Sequence, residues 1–170
     1  MKIRNAAIED LKYIVDLSKK ESHAIGFIPK PAYEAAITGE KFGKRWSKTC
    51  NDMLYVCEEN SDLVGFVLAS FGFTPKINQI CIQEDARLLE RGEALLKKVI
   101  NYGESINRYE FSCGCADDLE SNVFWKAMGF DKVAQRKGIS HNNTWFETSD
   151  RLVNIYRFIS KNDPQLKLFT

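Results

Sequence analysis

The stretch Ile80-Cys81-Ile82-Gln83-Glu84-Asp85-Ala86-Arg87-Leu88-Leu89-Glu90-Arg91-Gly92-Glu93-Ala94-Leu95-Leu96 constrains the fold of this chain most. An apolar, β-branched run passes through a short polar turn into an amphipathic helix. Leu88, Leu95, Leu96, Val99 and Ile100 fall on one helical face, with Gly92 on the same stripe. A helix that follows a strand in this way presents unpaired backbone N–H groups and the positive end of its dipole. That arrangement suits a pyrophosphate. Gly92 has no Cβ and allows a close approach to the helix backbone. An ordinary strand-to-helix connection, with the glycine packed on a neighbour, accounts for the same residues, so the local sequence leaves both readings open.

The surrounding pattern supplies the architecture. Residues 2–7 read as a strand. Leu11, Ile14, Val15 and Ser18 share a helical face, and that helix is expected to end near residues 23–26. Phe27-Ile28-Pro29-Lys30-Pro31 is an extended connector, and Tyr33, Ala36 and Ile37 predict a short second helix ended by Gly39. Residues 53–57, 63–70 and 76–83 read as a three-stranded antiparallel meander, with a five-residue polar connection over 58–62. After the long helix come a strand over 109–113, a helix over 119–128 bounded by Gly129, and strands over 131–136 and 152–159. The polar, Asn-rich residues 138–150 between those strands read as a loop. The order β-α-α-β-β-β-α-β-α-β-β predicts one mixed α/β (α+β) domain over residues 1–170.

Composition bounds the functional classes. The 170 residues suit one domain. With 24 basic and 23 acidic residues, the net charge of +1 gives no global electrostatic case for nucleic acid or an anionic membrane. The five cysteines, Cys50, Cys57, Cys81, Cys113 and Cys115, have no zinc-ribbon spacing and are expected to be reduced, buried thiols rather than metal ligands. No apolar signal region follows Met1, and no run approaches ~18 uninterrupted apolar residues. A cytoplasmic protein without a membrane span is expected, as monomer or homodimer.

In order along the chain, these elements resemble the GNAT superfamily of acyl-CoA-dependent N-acetyltransferases. The motif Q/R-x-x-G-x-G/A of that superfamily lies five residues after an apolar strand position. Here Arg87 lies five after Ile82, Gly92 takes the last motif position, and Leu95 is the apolar residue three later. The downstream N-x-x-A-x-x-F-Y-x-x-x-G-F helix is matched by Asp118-Leu119-Glu120-Ser121-Asn122-Val123-Phe124-Trp125-Lys126-Ala127-Met128-Gly129-Phe130. The resemblance covers almost the full length. It implies a central mixed, mostly antiparallel sheet of about seven strands with a V-shaped split, flanked by about four helices. It also implies acetyl-CoA or another acyl-CoA as cofactor, and direct acyl transfer to an amine. The implied cofactor contacts are Ile80, Cys81, Ile82, Arg87, Leu88, Leu89, Glu90, Arg91, Gly92, Glu93 and Ala94, with Ser121, Asn122 and Trp125 on the later helix. A strand bulge matching residues 80–82 is expected to aim a backbone N–H at the thioester carbonyl, where it stabilises the oxyanion. Phe27, Tyr33 and Trp46 are expected at the acceptor side.

Three departures bear on mechanism. Glu90 replaces the first motif glycine, and Glu90 and Glu93 add negative charge where a pyrophosphate is expected, offset by Arg87 and Arg91 if these point inward. Trp125 stands where the family often carries a tyrosine general acid, and an indole N–H donates a hydrogen bond without delivering a proton. Asn78 and Gln79 stand where the strand often supplies a glutamate. Neither amide accepts a proton, although both can hold a water. Glu21 and His23 remain as candidate bases, with His141 behind them. Cys81 has no histidine near it in sequence, which favours direct transfer over an acyl-enzyme. Lys41, Lys44, Arg45, Trp46 and Lys48 form the one dense basic cluster, either a solvated face or a contact for an acidic or nucleic-acid acceptor. Gly26-Phe27-Ile28-Pro29 with Tyr33, and residues 79–87, resemble a branch of phage and mobile-element proteins with some likeness to Mom-type adenine-modifying enzymes. The leading expectation is therefore an N-acyltransferase acting on a small-molecule or macromolecular amine. The alternatives are acyl-CoA-dependent nucleobase modification, for which nucleic acid is the partner, and a non-catalytic CoA-binding or interaction domain.

Overall fold

Leu11, Ile14, Leu17 and Ser18 recur at helical spacing and form the buried stripe of α1 (Leu11–Lys20), which follows the edge strand β1 (Lys2–Asn5). The computed structural model describes residues 1–40, 51–87, 89–140 and 147–168. The first helix stops before the expected residues 23–26. A separate turn of helix, α2 (Ser22–Ile25), follows it and is closed by Gly26 at φ 75°, a left-handed conformation that favours glycine. This break turns Glu21 inward, where it is 5% exposed. Helix α3 (Lys30–Thr38) begins with a proline in its first turn and ends on Gly39.

The meander consists of β2 (Asn51–Glu59), β3 (Asp62–Phe71) and β4 (Lys76–Ile82). The connection between β2 and β3 is two residues, Asn60 and Ser61, not the expected five. Both have positive φ, 51° and 71°, the backbone that fits a tight hairpin to twisted strands. Then come α4 (Leu89–Ser105), β5 (Glu110–Ala116), α5 (Ser121–Ala127), β6 (Asp131–Ser140) and β7 (Glu147–Ile159). Within the expected loop over 138–150, the described residues 138–140 and 147–150 are strand: Gly138 pairs with Ser149 and Ser140 with Glu147. Ladder hydrogen bonds are made by the backbone, so a polar sequence does not prevent them, and the apolar alternation that marks a half-buried strand is simply missing there.

Among the described residues the sheet has seven strands, in the order β1-β2-β3-β4-β5-β7-β6, and five helices flank it. Only the β4–β5 pair is parallel. Leu95, Leu96 and Val99 of α4 pack with Tyr55, Val67, Phe111, Trp125 and Tyr156 on one face. Ile14, Leu17 and Tyr33 pack with Leu54, Phe66 and Leu68 on the other. Each such side chain contributes roughly 1.5–3 kcal/mol on burial. Cys57, Cys81, Cys113 and Cys115 are buried free thiols, while Cys50 lies outside the described residues. No described helix is long and apolar enough to cross a membrane.

Candidate active site

Strands β4 and β5 run side by side only at Lys76↔Ser112 and Ile77↔Cys113, and then part. The divergence begins beside a bulge in β4. Leu68 opposes Gln79 and Ala69 opposes Ile77, so Asn78 is the extra residue. The bulge reverses the facing of the strand. Ile77 packs in the α4 core, whereas Cys81 packs in the α1–α3 core. The backbone follows. Gln83 donates its N–H to Val64 O at 2.9 Å, so by antiparallel alternation Ile82 and Ile80 turn their N–H and C=O groups away from β3 and into the split. The bulge therefore lies at Asn78, earlier than the expected residues 80–82. The backbone it aims lies within them.

Two contiguous hollows occupy the split. One, of about 490 Å³, lies between α2 and β4 on one side and β5 and α5 on the other. The second, of about 420 Å³, runs along β4 between α4 and α5 with an almost wholly apolar lining. Ile80, Cys81, Ile82, Arg87, Ser121 and Phe124 line both.

The chemistry of the first hollow is set by a few side chains. Glu21 accepts a 2.6 Å ion-pair hydrogen bond from Arg87 Nη2, and Arg87 Nε also donates to Ile82 O at 3.3 Å. His23 lines the same hollow. Its carbonyl accepts from Arg151 Nη1 at 2.6 Å while Arg151 Nε donates to Asp118 Oδ1 at 2.9 Å, which ties α2 to the β5–α5 turn across the split. The Arg151 guanidinium holds the Asp118 carboxyl below its ordinary range. Asn78 Nδ2 donates to Ser70 Oγ at 2.6 Å. Burial pushes the Cys81 thiol up to about 12, with the Glu21 carboxylate adding to the effect. Burial likewise raises Cys115, against hydrogen bonds from Ser121 and Trp125 that pull it down. Neither cysteine is a thiolate at neutral pH, so neither is an activated nucleophile.

Of the residues expected at the site, Glu21, His23, Asn78, Ile80, Cys81, Ile82, Arg87, Gly92, Ser121 and Trp125 line these hollows. Others do different work. Gln79 lines the cavity but is 3% exposed. Its amide is engaged at both ends, accepting from Tyr33 Oη at 2.5 Å and donating to Ile25 O and Gly26 O. It is a strut between β4 and α2. Tyr33 is a core residue, 1% exposed, with its hydroxyl shared between Ser18 and Gln79, and it lines neither hollow. Phe27 is exposed and lines neither hollow.

Arg91 turns away from the split to pair with Glu59 and Ala86 O, because Glu59 at the end of β2 offers a half-buried carboxylate within reach. Glu93 pairs with Lys97 one turn along α4. Glu90 is exposed, and neither it nor Glu93, Ala94 or Asn122 lines a hollow. Asn122 closes the β5–α5 turn instead. Its Nδ2 donates to Ala116 O and Leu119 O, and its Oδ1 accepts from Asn154 and Tyr156. Leu89 opens α4. Leu88, Trp46 with the basic cluster 41–48, and His141 lie outside the described residues.

Gly92 adjoins the ring of Phe124: an added Cβ would sit 2.8 Å from Phe124 Cε2. The glycine therefore packs α4 against α5 and, through Phe124, shapes both hollows. Phe124, Asp118, Glu120 and Cys115 also line the first hollow, without having been singled out in the sequence as site residues. Phe124, Asp118 and Glu120 lie within the matched stretch 118–130, and Cys115 lies three residues before it.

A seven-stranded sheet, split where its one parallel pair diverges and followed by a helix at the split, is the fold of the GNAT N-acetyltransferases. Three solved structures make the comparison concrete. Arabidopsis thaliana NAA60 in complex with a bisubstrate analogue superposes with a TM-score of 0.72 at 13% identity, covering 93% of this chain and 97% of that one. An acetyltransferase described as of the GNAT family, from Desulfovibrio desulfuricans, gives 0.69 at 14%, with 93% and 98% covered. Spermidine N-acetyltransferase from Vibrio cholerae, in complex with CoA and spermine, gives 0.67 at 12%, with 93% and 94% covered. No family model and no curated protein matches the sequence.

Proposed function

We propose that this chain is an acyl-CoA-dependent N-acyltransferase, with acetyl-CoA as the default donor, that transfers the acyl group directly to an amine. The observation that carries the reading is the edge of β4 inside the split, which no described strand pairs: Ile80 offers its backbone N–H and C=O and Ile82 its N–H along a groove with apolar walls. An extended, amide-bearing pantetheine arm has the shape and the hydrogen-bonding groups for such an edge. The fold shared with spermidine N-acetyltransferase, solved in complex with CoA and spermine, supports the same donor.

When bound there, acyl-CoA supplies an activated thioester carbonyl. The chain's own part is threefold. The Ile80 N–H donates toward the split, in position to hold the oxygen that becomes negative as the amine adds. Of the proton acceptors that line the first hollow, Glu21 or His23 takes one proton from the acceptor's ammonium group, so that its nitrogen lone pair is free to form the C–N bond. Ser121 carries the only hydroxyl lining either hollow among the described residues and stands in place of the absent tyrosine, donating to the sulfur as the C–S bond breaks. The two protons lost by the ammonium are balanced, one on the base and one on the released thiol. Cys81, held neutral by burial, stays out of the reaction. Asp118, Glu120 and Glu21 around the acceptor hollow favour a cationic amine.

Thermal unfolding with CoA and acetyl-CoA tests the donor, and thiol release across a panel of polyamines, amino acids and N-terminal peptides tests the acceptor. Stabilisation by CoA together with amine-dependent thiol release is expected. No stabilisation overturns the reading. Stabilisation without thiol release for any amine replaces it with a CoA-binding domain.

A further inference from the structure

Arg87 occupies two sites at once. It is the only lysine or arginine lining either hollow among the described residues, and it lines both. In this structure it is committed to Glu21, Nη2 to Oε2 at 2.6 Å, across 66 positions of sequence. The two partners are unequal. The Glu21 side chain is 7% exposed and that of Arg87 51% exposed. A buried carboxylate without a cation is costly, which keeps Arg87 on Glu21. A half-exposed guanidinium on a rotatable stem is nevertheless free to exchange that partner for an anion of higher charge in the adjoining groove.

We propose that Glu21 and the phosphates of the donor compete for Arg87, so that loading the donor unmasks Glu21 as the base. This rests on the acyl-CoA reading above. In this structure Arg87 neutralises Glu21 and fastens the 3-10 turn at Glu84–Ala86, ahead of α4, to the α1–α2 junction. With a diphosphate at the end of the groove that Arg87 lines, Arg87 turns to it, and the Glu21 carboxylate faces the acceptor hollow without its cation. There it takes one proton from the incoming ammonium. Glu21 is therefore unmasked whenever the diphosphate is bound, with or without an acyl group on the sulfur.

Competition makes an unusual prediction: removing the buried carboxylate tightens donor binding. Titration calorimetry with CoA is expected to give a Kd about tenfold lower for Glu21→Gln than for the natural chain, within the usual range of coupling between sites. Arg87→Ala is expected to raise Kd about tenfold. The double variant is expected to match Arg87→Ala, because Glu21 acts on the donor only through Arg87. Pantetheine, which has no phosphate, is expected to bind the natural chain and Glu21→Gln equally. In turnover, Glu21→Gln is expected to lower kcat by about a hundredfold or more while KM for the donor falls.

A variant that merely failed to fold would lose affinity, so a gain cannot come from damage. Glu21→Gln binding CoA no tighter than the natural chain, or tightening pantetheine equally, overturns the competition. Tighter binding with unchanged kcat overturns the role of Glu21 as base. A natural chain that binds no CoA at all overturns the acyl-CoA reading itself, and this proposal with it.

Discussion

Asp52, on β2 opposite Ser70, allows the energetics of the fold to be tested away from the split. Its Oδ1 is buried without a hydrogen-bond partner. Burial alone raises the carboxyl from its ordinary 3.8 to about 6. The folded chain therefore holds the Asp52 proton more tightly than the unfolded chain does. Between about pH 4 and 6 the folded state binds more protons, so wild-type stability falls as pH rises through that window. Above it, the full cost of a buried carboxylate remains. Each pH unit between the two values is worth about 1.4 kcal/mol, which sets a ceiling of about 3 kcal/mol. Relaxation and water around a partly buried group are expected to leave about 1–2 kcal/mol of that. Asp52→Asn keeps the shape and removes the charge. Urea unfolding of both chains from pH 3.5 to 8 is expected to show equal stability below about pH 4. The variant should gain progressively to pH 6 and hold a constant advantage above it. A difference that does not change with pH, or a variant less stable at pH 7, refutes the reasoning.

Tyr33→Phe is expected to cost about 1–3 kcal/mol in chemical unfolding, because it leaves Gln79 and Ser18 without their buried partner. CoA affinity should be unchanged, and a large loss of acceptor KM with full stability would restore Tyr33 to the substrate site. Gly92→Ala places a methyl group against the movable ring of Phe124. The helix-propensity gain of up to about 1 kcal/mol offsets the displaced ring, so thermal stability should scarcely move while CoA Kd rises several-fold. Unchanged Kd in calorimetry would show that the groove does not use this wall.

The sequence was most informative where chemistry and periodicity coincide. The run from Ile80 to Leu96 announced a strand followed by a helix, and the helix ending at Gly129, which has φ 81°, was legible from the glycine. The β-rich runs that became β3 and β4 were equally plain. Residues 138–140 and 147–150 were not legible as strand, because a ladder is made by the backbone and their sequence lacks the apolar alternation that marks a strand. Arg91 was expected beside a phosphate, yet Glu59, 32 residues earlier, claims it. Gln79 and Tyr33 were read as separate candidates. In the fold they bond to each other. In each case the deciding partner is remote in sequence, and no local pattern encodes it.

Local composition thus determined the elements, their order and the helix that opens beside the split, because backbone preference and apolar periodicity act over a few residues. Tertiary structure alone decided how the elements divide the side chains. The bulge at Asn78 turns Cys81 into one core and Ile77 into the other, and it aims Ile80 into the split. The break after Lys20 brings Glu21 to Arg87. Both follow from the register of one strand against its neighbour and from the packing of α1 upon it. Those quantities depend on which surfaces meet, and the sequence of either surface by itself does not contain them.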